Sequence, residues 1–200
     1  MTAHRPKILG VGGTTRAGSL TEMVLRAAIA RAEALGAVTR VIAGPALDLP
    51  VYDPGVAARS EAAATLVGAL READGIILAS PGYHGSVSGL IKNALDYAED
   101  LREDARPYFS GRAVGHVVCA DGVQALGGTL STLRSMTHAL RGWPTPYALL
   151  VRGRDRPIDA DGRCTDARTA EGLDILAGEV VEFARRQALT LEALPPAPTT

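Results

Sequence analysis

The segment Gly75-Ile76-Ile77-Leu78-Ala79 has no polar side chain at any position. A strand with one solvated face alternates apolar and polar residues, so this continuous run predicts a strand that is covered on both faces. Such strands occur mainly in parallel sheets, where helices cross from one strand to the next. We therefore interpret this segment as a central strand and expect helices on both sides of it.

Extended and helical patterns alternate along the rest of the chain. Five strands alternating with five helices predict an α/β protein with a doubly wound parallel sheet and helices on both faces. The strands are predicted near 7–12, 37–43, 75–79, 113–120 and 147–151, and the helices near 19–35, 60–73, 89–101, 126–140 and 165–189.

Composition limits the classes of protein that the chain can belong to. A length of 200 residues with 46% hydrophobic content fits one domain over 1–190, followed by a disordered tail over 191–200. The formal charge of −1 gives no electrostatic reason to expect nucleic acid or an anionic membrane as a partner. Two distant cysteines and four scattered histidines predict neither a disulfide framework nor a metal site.

The first predicted strand leads into a loop of glycines, hydroxyls and one arginine. Glycine allows sharp turns and close backbone approach, and the following helix presents unpaired N–H groups and the positive end of its dipole. The loop Gly13-Thr14-Thr15-Arg16-Ala17-Gly18-Ser19-Leu20-Thr21 is therefore a candidate site for a phosphate monoester. The alternative is an ordinary strand-to-helix turn in which Ser19 is the N-cap.

Several familiar phosphate motifs are absent from this loop. No lysine follows the glycines, as a Walker loop requires, and Thr15 stands where a dinucleotide fingerprint needs its third glycine. The second strand also ends without an acidic residue. A whole dinucleotide is thus disfavoured as the ligand of this loop.

Two further loops follow strands three and four. Parallel strands end at the same edge of a sheet, so Pro81 to Ser86 and Asp121 to Gln124 are expected beside the first loop. Small residues around Tyr83 and His84 would let backbone amides reach the edge of a planar ring, and Tyr83 offers an aromatic face. A flat heteroaromatic ring with a phosphate arm fits this layout, and FMN is the common ligand of that shape.

The chain resembles the NAD(P)H-dependent FMN reductase family of flavodoxin-like flavoproteins. The similarity rests on three segments in order. The first is Gly13 to Ser19, here called the phosphate loop, and the second is Leu49-Pro50-Val51-Tyr52-Asp53. The third is Pro81 to Ser86 with Gly89-Leu90-Ile91-Lys92-Asn93-Ala94-Leu95-Asp96. The resemblance implies a sheet of order 2-1-3-4-5. It also implies FMN phosphate contacts from Thr14, Arg16, Ser19, Leu20 and Thr21, and ring contacts from Pro81, Gly82, Tyr83, His84, Asp121 and Gly122.

The expected activity follows from this family. NADPH or NADH would reduce the flavin, which would pass electrons to free flavin, a quinone or another small acceptor, with no catalytic side chain. Three alternatives stay open: an electron carrier, an FMN-binding module without turnover, and a specialised biosynthetic flavoenzyme. The residues Gly82, His84 and Asp121 depart from the commonest family pattern, and the departures at His84 and Asp121 keep the last alternative open.

The resemblance and the composition also indicate how the protein assembles and where it is located. The resemblance implies a homodimer or homotetramer, and the apolar runs are too short for a membrane span, so a cytoplasmic protein with free thiols is expected. Two other features have two readings each. Arg134, His138 and Arg141 either meet a nucleotide phosphate or form a solvated face, and Trp143 lies either in a subunit interface or in the core.

Overall fold

A computed structural model describes residues 4–159 and 161–193 of the chain. Its strands are β1 (Lys7–Gly12), β2 (Val38–Ala43), β3 (Gly75–Pro81), β4 (Ala113–Ala120) and β5 (Trp143–Arg152). Its helices are α1 (Leu20–Ala34), α2 (Glu61–Glu72), α3 (Gly89–Asp96), α4 (Val123–Ala139) and α5 (Ala167–Ala193). Short 3-10 helices cover Gly44–Leu47, Tyr97–Leu101 and Gly153–Asp155.

The five strands form one parallel sheet in the order β2-β1-β3-β4-β5. The predicted order and the central position of β3 are confirmed. All seven residues of β3 are buried, because helices cover the sheet on both sides.

Two apolar layers hold the helices against the sheet. On one side, residues of α2, α3 and α4 pack on alternate strand residues such as Leu9, Ile76 and Val118. On the other side, α1 and α5 pack on the intervening residues, including Ile8, Ile77 and Val117. This two-sided alternation explains why the β3 sequence is apolar throughout.

Serine side chains begin three of the helices. The hydroxyls of Ser19, Ser60 and Ser88 accept hydrogen bonds from backbone N–H groups three residues later, at 3.4, 3.3 and 3.3 Å. Each thereby satisfies one of the N–H groups that a helix start leaves without a partner. The cap at Ser19, which the alternative interpretation of the first loop expects, is present.

Two strands are longer than predicted. β3 continues through Pro81, and β5 begins at Trp143 rather than at Tyr147. Pro144 and Pro146 are typical of a turn rather than a strand, but β5 pairs only with β4 and is an edge strand of the sheet. An edge strand tolerates proline because half of its backbone N–H groups need no partner strand.

The end of the chain differs in part from the expectation. The last helix, α5, continues to Ala193, beyond the predicted end at Leu189. The remainder of the expected tail, 194–200, lies outside the described residues. Within the described ranges, no helix combines the length and apolar character needed to cross a membrane.

Candidate functional site

The ends of β1, β3 and β4 bring the three predicted loops together. Gly12 lies beside Ala79 in the sheet, and Pro81 lies beside Cys119. Backbone hydrogen bonds continue past the strand ends, from Gly13 N to Ala79 O at 3.3 Å and from Gly82 N to Cys119 O at 2.9 Å. The convergence expected from the strand order is confirmed.

The start of α1 is an anion-binding arrangement. The backbone N–H groups of Leu20 and Thr21 belong to the first turn, and they have no acceptor within the described part of the chain. Together with the helix dipole they favour a negative group at this position.

The loop before α1 is folded compactly. The Thr14 hydroxyl accepts a hydrogen bond from Arg16 N at 3.2 Å, which turns the chain, and Gly13 and Gly18 have positive φ angles of 99° and 68°. The Arg16 side chain is exposed, and its guanidinium makes no ion pair or hydrogen bond with any residue that the structure describes. It can therefore bind an anion held by the loop.

Glu22 is a buried carboxylate beneath this loop that the sequence analysis missed. One of its oxygens accepts a hydrogen bond from Gly18 N at 3.0 Å, and the other accepts from Arg26 Nε and Nη2 at 2.9 and 2.8 Å. The signal was present as Ser19-x-x-Glu22, the pattern of a capping box. Arg26 offsets the charge, and Glu22 holds the loop in one conformation.

Thr21 and Ser19 face the protein interior. Both are buried at 3% exposure, and the Ser19 hydroxyl accepts a hydrogen bond from Glu22 N at 3.4 Å. Their side chains thus offer little exposed surface to a ligand.

Cys119 should resist thiol reagents. Burial raises the pKa of its thiol to about 12, and only the thiolate is the reactive species. Cys164 is half-buried near the start of α5. We expect one thiol per chain to react with a disulfide reagent in the native state and two after denaturation. A Cys164→Ser variant should lose the native reaction; rapid native reaction of that variant would contradict the buried position of Cys119.

The second loop is a two-residue hairpin turn. Tyr83 and Ser86 exchange backbone hydrogen bonds of 2.9 and 3.0 Å, and the intervening His84 and Gly85 have φ angles of 49° and 85°. Positive φ at both central positions is the turn geometry that suits a tight hairpin. The side chains of Tyr83 and His84 are exposed, so this turn presents an aromatic ring and an imidazole to solvent.

Glycine at position 82 is required by packing against α4. A Cβ at Gly82 would lie 2.9 Å from Thr129 Oγ1, and that hydroxyl donates to Ser86 O at 3.1 Å. Pro81, which ends β3, is buried, and the turn is therefore fixed to α4 and cannot move freely.

The third loop consists of only two residues, Asp121 and Gly122, because α4 begins at Val123. Gly122 is the N-cap, and no heavy atom beyond its immediate neighbours lies within 4 Å of where its Cβ would be. The Asp121 carboxylate lies against Gly153, 2.6 Å from the position that a Cβ would take there. The backbone at Gly122 is thus open to close approach by a ligand.

A cleft of about 830 Å³ opens between the phosphate loop and the segment that follows β5. Its lining residues are Arg16, Gly18, Leu20, Met23, Asp121, Gly153, Arg154, Arg156, Ile158 and Asp159. The structure therefore brings Arg16, Leu20 and Asp121 to one cleft. Residues 81–84 and Gly122 lie outside it, on the neighbouring strand ends.

Asn93 joins two of the sequence segments on which the family resemblance rests. Its side-chain oxygen accepts from Tyr52 N at 2.8 Å, and its amide nitrogen donates to Pro50 O at 2.9 Å. Arg59 lies over the Tyr52 ring at 4.8 Å and pairs with Asp100 at 2.7 Å. The segment from Leu49 to Asp53 is therefore fastened to α3 and the turn after it, and Asn93 has a structural role.

The residues at this edge of the sheet fit FMN. The phosphate would meet the N–H groups of Leu20 and Thr21 and the guanidinium of Arg16, and Gly122 leaves room for a ring. The donors at the loop suit a phosphate monoester, and its exposed hydroxyls add to them. Among the described residues, no group of three or more histidine, cysteine, aspartate or glutamate side chains is arranged to hold a metal ion.

Arg134 and Trp143 had open interpretations in the sequence. The Arg134 guanidinium donates to Pro146 O at 2.8 Å and so stabilises the start of β5. His138 and Arg141 are exposed. Trp143 is 61% exposed beside Phe183, which excludes burial in the core of its own chain.

Comparison with known proteins decides the family. The model of the NADPH-dependent FMN reductase family matches residues 6–155, which include all three loops. The chain belongs to this family. Its fold is the flavodoxin-like fold that the sequence predicted.

One curated relative of this chain is the FMN-dependent NADPH-azoreductase of Staphylococcus aureus (strain USA300). It is 37% identical over 90 residues, which are 45% of this chain and 44% of the relative. The matched region thus spans less than half of the length of that relative.

Solved structures agree on the fold. The flavoenzyme NAD(P)H:(acceptor) oxidoreductase FerB from Paracoccus denitrificans has a TM-score of 0.68 at 22% identity, covering 91% of this chain and 98% of its own. RosB, solved with a bound 8-demethyl-8-formylriboflavin-5'-phosphate intermediate, has a TM-score of 0.71 at 16% identity, covering 98% and 94%. At these identities the likeness establishes the fold alone.

Proposed function

We propose that this protein is an NAD(P)H-dependent FMN oxidoreductase that passes electrons to free flavin, a quinone or another small acceptor. The observation that carries the proposal is the start of α1, where the N–H groups of Leu20 and Thr21 and the guanidinium of Arg16 can bind a phosphate. Membership of the FMN reductase family supports FMN as the source of that phosphate.

The predicted site residues divide into two groups in this proposal. The phosphate is held by the backbone of Ser19, Leu20 and Thr21, by the side chain of Arg16, and by the loop that Thr14 turns. The flavin ring lies against the residues that follow β3 and β4, namely Pro81, Gly82, Tyr83, His84, Asp121 and Gly122. The backbone at Gly122 and the exposed Tyr83 ring support this arrangement.

Bound FMN would supply the redox chemistry between the nicotinamide donor and the electron acceptor. The chain's own residues bind and orient. Helix α1 places positive potential at the phosphate, Glu22 keeps the loop in shape, and Thr129 fixes the turn after β3. We propose no side chain as acid or base.

The cellular setting and assembly are part of the same proposal. Both cysteines are free thiols, which suits a reducing cytoplasm. The acceptor is a small molecule, and neither nucleic acid nor a membrane is a partner. The exposed Trp143 suits a homodimer or homotetramer built from single-domain chains.

An electron carrier that lacks nicotinamide activity is the main competing function. Carriers tend to be strongly acidic, whereas this chain has 21 basic and 22 acidic residues. The exposed turn at Tyr83 and His84 leaves the ring region accessible to a small substrate. Both observations favour the reductase over the carrier.

The proposal is tested by adding FMN to the purified protein and then adding NADPH or NADH without oxygen. We expect a bound flavin spectrum that bleaches with at least one of the two nucleotides. Arg16→Gln should weaken FMN binding about 10-fold or more, because a charge-assisted contact is lost. Arg31→Gln, at the other end of α1, serves as the matched control. Flavin that binds but stays oxidised with both nucleotides would overturn the reductase activity.

A further inference from the structure

The cleft beside the phosphate loop is lined by more guanidinium groups than the one that the proposed FMN phosphate contacts. Arg16 lies on its α1 side, and Arg154 and Arg156 line it from the segment that follows β5. Both of these arginines are exposed. The Arg156 guanidinium makes no hydrogen bond or ion pair with any described residue, and Arg154 has only Asp155, at 3.8 Å. Exposed pairs of this kind are weak, so both side chains are free to bind another anion.

Arg154 and Arg156 lie on a segment that is held in place at both ends. Val151 before them and Ile158 after them are buried at 3% and 4% exposure. Pro157 O accepts a hydrogen bond from Thr165 N at 2.8 Å, and Asp159 N donates to Arg163 O at 2.9 Å. Because both ends are anchored, little backbone entropy is lost when a ligand binds between them.

One of the two carboxylates in the cleft is already hydrogen-bonded by the protein. One oxygen of Asp159 accepts from the N–H groups of Asp161 and Arg163 at 3.0 and 2.8 Å, which stabilises its own turn. Asp121 lies against the backbone of Gly153. The lining therefore holds three guanidinium groups and two carboxylates, of which Asp159 already accepts two hydrogen bonds, and this positive balance favours an anionic ligand.

The proposed flavin does not fill this cleft. The ring is proposed to lie against residues 81–84 and Gly122, which are outside the lining, and it reaches the lining only at Asp121. The phosphate arm would enter at Arg16 and Leu20. A volume of about 830 Å³ is near the upper end of the range for a whole small ligand, about 300–1,000 Å³. Space and charge for a second phosphorylated group remain on the Arg154 side.

We propose that Arg154 and Arg156 bind phosphate groups of the adenine-nucleotide half of the nicotinamide donor, in an inference that rests on the proposed function. A guanidinium pairs with phosphate oxygens through two parallel N–H groups, which suits a monoester. NADPH carries such a monoester and NADH does not. The subsite therefore makes the protein prefer NADPH.

The test is titration of the protein with NADP+ and NAD+, with and without FMN, alongside a separate FMN titration. The variant is Arg154→Gln combined with Arg156→Gln. The control is Arg163→Gln, an exposed arginine of the same segment that does not line the cleft. We expect the wild type to bind NADP+ about 10-fold or more tighter than NAD+. The double variant should lose that difference and keep its FMN affinity within about twofold, and the control should match the wild type.

Two results would overturn the subsite. Unchanged NADP+ affinity in the double variant would remove the arginines from nucleotide binding, and an equal loss of FMN affinity would assign them to the flavin phosphate. Failure of the proposed function has a different signature, because the wild type would then bind no FMN or leave it unreduced. Loss of NADP+ affinity in the variant would support the subsite even in that case.

Discussion

A Gly12→Ala variant is expected to lose about 3 kcal/mol of its free energy of unfolding. Gly12 ends β1 at the base of the phosphate loop, directly beside β3. A Cβ at this position would lie 2.4 Å from the carbonyl oxygen of Ala79 and 2.6 Å from its Cβ. Since the obstacle is backbone at the centre of the sheet, the strands must separate to admit one methyl group. Denaturant unfolding measures the loss, and FMN titration should show weaker binding because the loop moves with the strand.

Gly68→Ala is the matched control for this substitution. Gly68 lies within α2, and no atom outside its own helix backbone and chain neighbours lies within 4 Å of where its Cβ would be. Alanine is the better helix former, so this variant should gain about 0.5–1 kcal/mol. If Gly12→Ala proved as stable as Gly68→Ala, the close contact between β1 and β3 would be wrong.

Acid is expected to destabilise the protein through His116. This histidine lies in β4 with no exposed surface, and its Nε2 lies 2.9 Å from Thr137 Oγ1. Its Nδ1 has no hydrogen-bond partner among the described residues. Burial, and secondarily the charge of Arg134, lower the pKa of His116 from 6.5 to about 3.

The sign of the pH dependence follows from this lowered pKa. Between pH 6.5 and 3 the unfolded chain binds a proton at His116 that the folded chain does not bind. The contribution to stability is therefore complete above pH 6.5 and is lost as the pH falls. We expect the free energy of unfolding to drop by about 2 kcal/mol between pH 7 and pH 5 from this residue alone.

His116→Gln separates this effect from other acid-sensitive groups. Glutamine offers Thr137 a polar partner but does not titrate, so the drop between pH 7 and pH 5 should shrink by about 2 kcal/mol. His138→Gln, a change at an exposed histidine of α4, should keep the wild-type drop. An equal drop in His116→Gln and the wild type would show that His116 is not held neutral.

Much of the framework could be predicted because its signals are local. The apolar run of β4 predicted its bounds at 113–120, and Ser19 indicated where α1 begins. The order of the strands came from the family resemblance, since periodicity alone does not say which strands are neighbours. Strand β5 was underestimated because its prolines are tolerated only at an edge, and edge position is a tertiary property.

The loops that form the site could be predicted from the sequence, whereas several of the side-chain contacts within it could not. That three loops converge follows from parallel topology, and this was expected. That Thr21 turns into the protein interior, and that Glu22 lies beneath Gly18, depends on helix orientation and packing. Arg154 and Arg156 come to the same cleft as Arg16 because α1 and α5 lie on one face of the sheet, although about 140 residues separate them in sequence.

The affinity of the protein for FMN relative to riboflavin tests the central claim most directly. The two ligands share the ring and differ by the phosphate that the start of α1 is proposed to bind. Quenching of flavin fluorescence gives both dissociation constants. We expect FMN to bind about 100-fold or more tightly than riboflavin, because at least two charge-assisted contacts are lost with the phosphate. Equal affinities would contradict the assignment of the loop from Gly13 to Thr21 as a phosphate site.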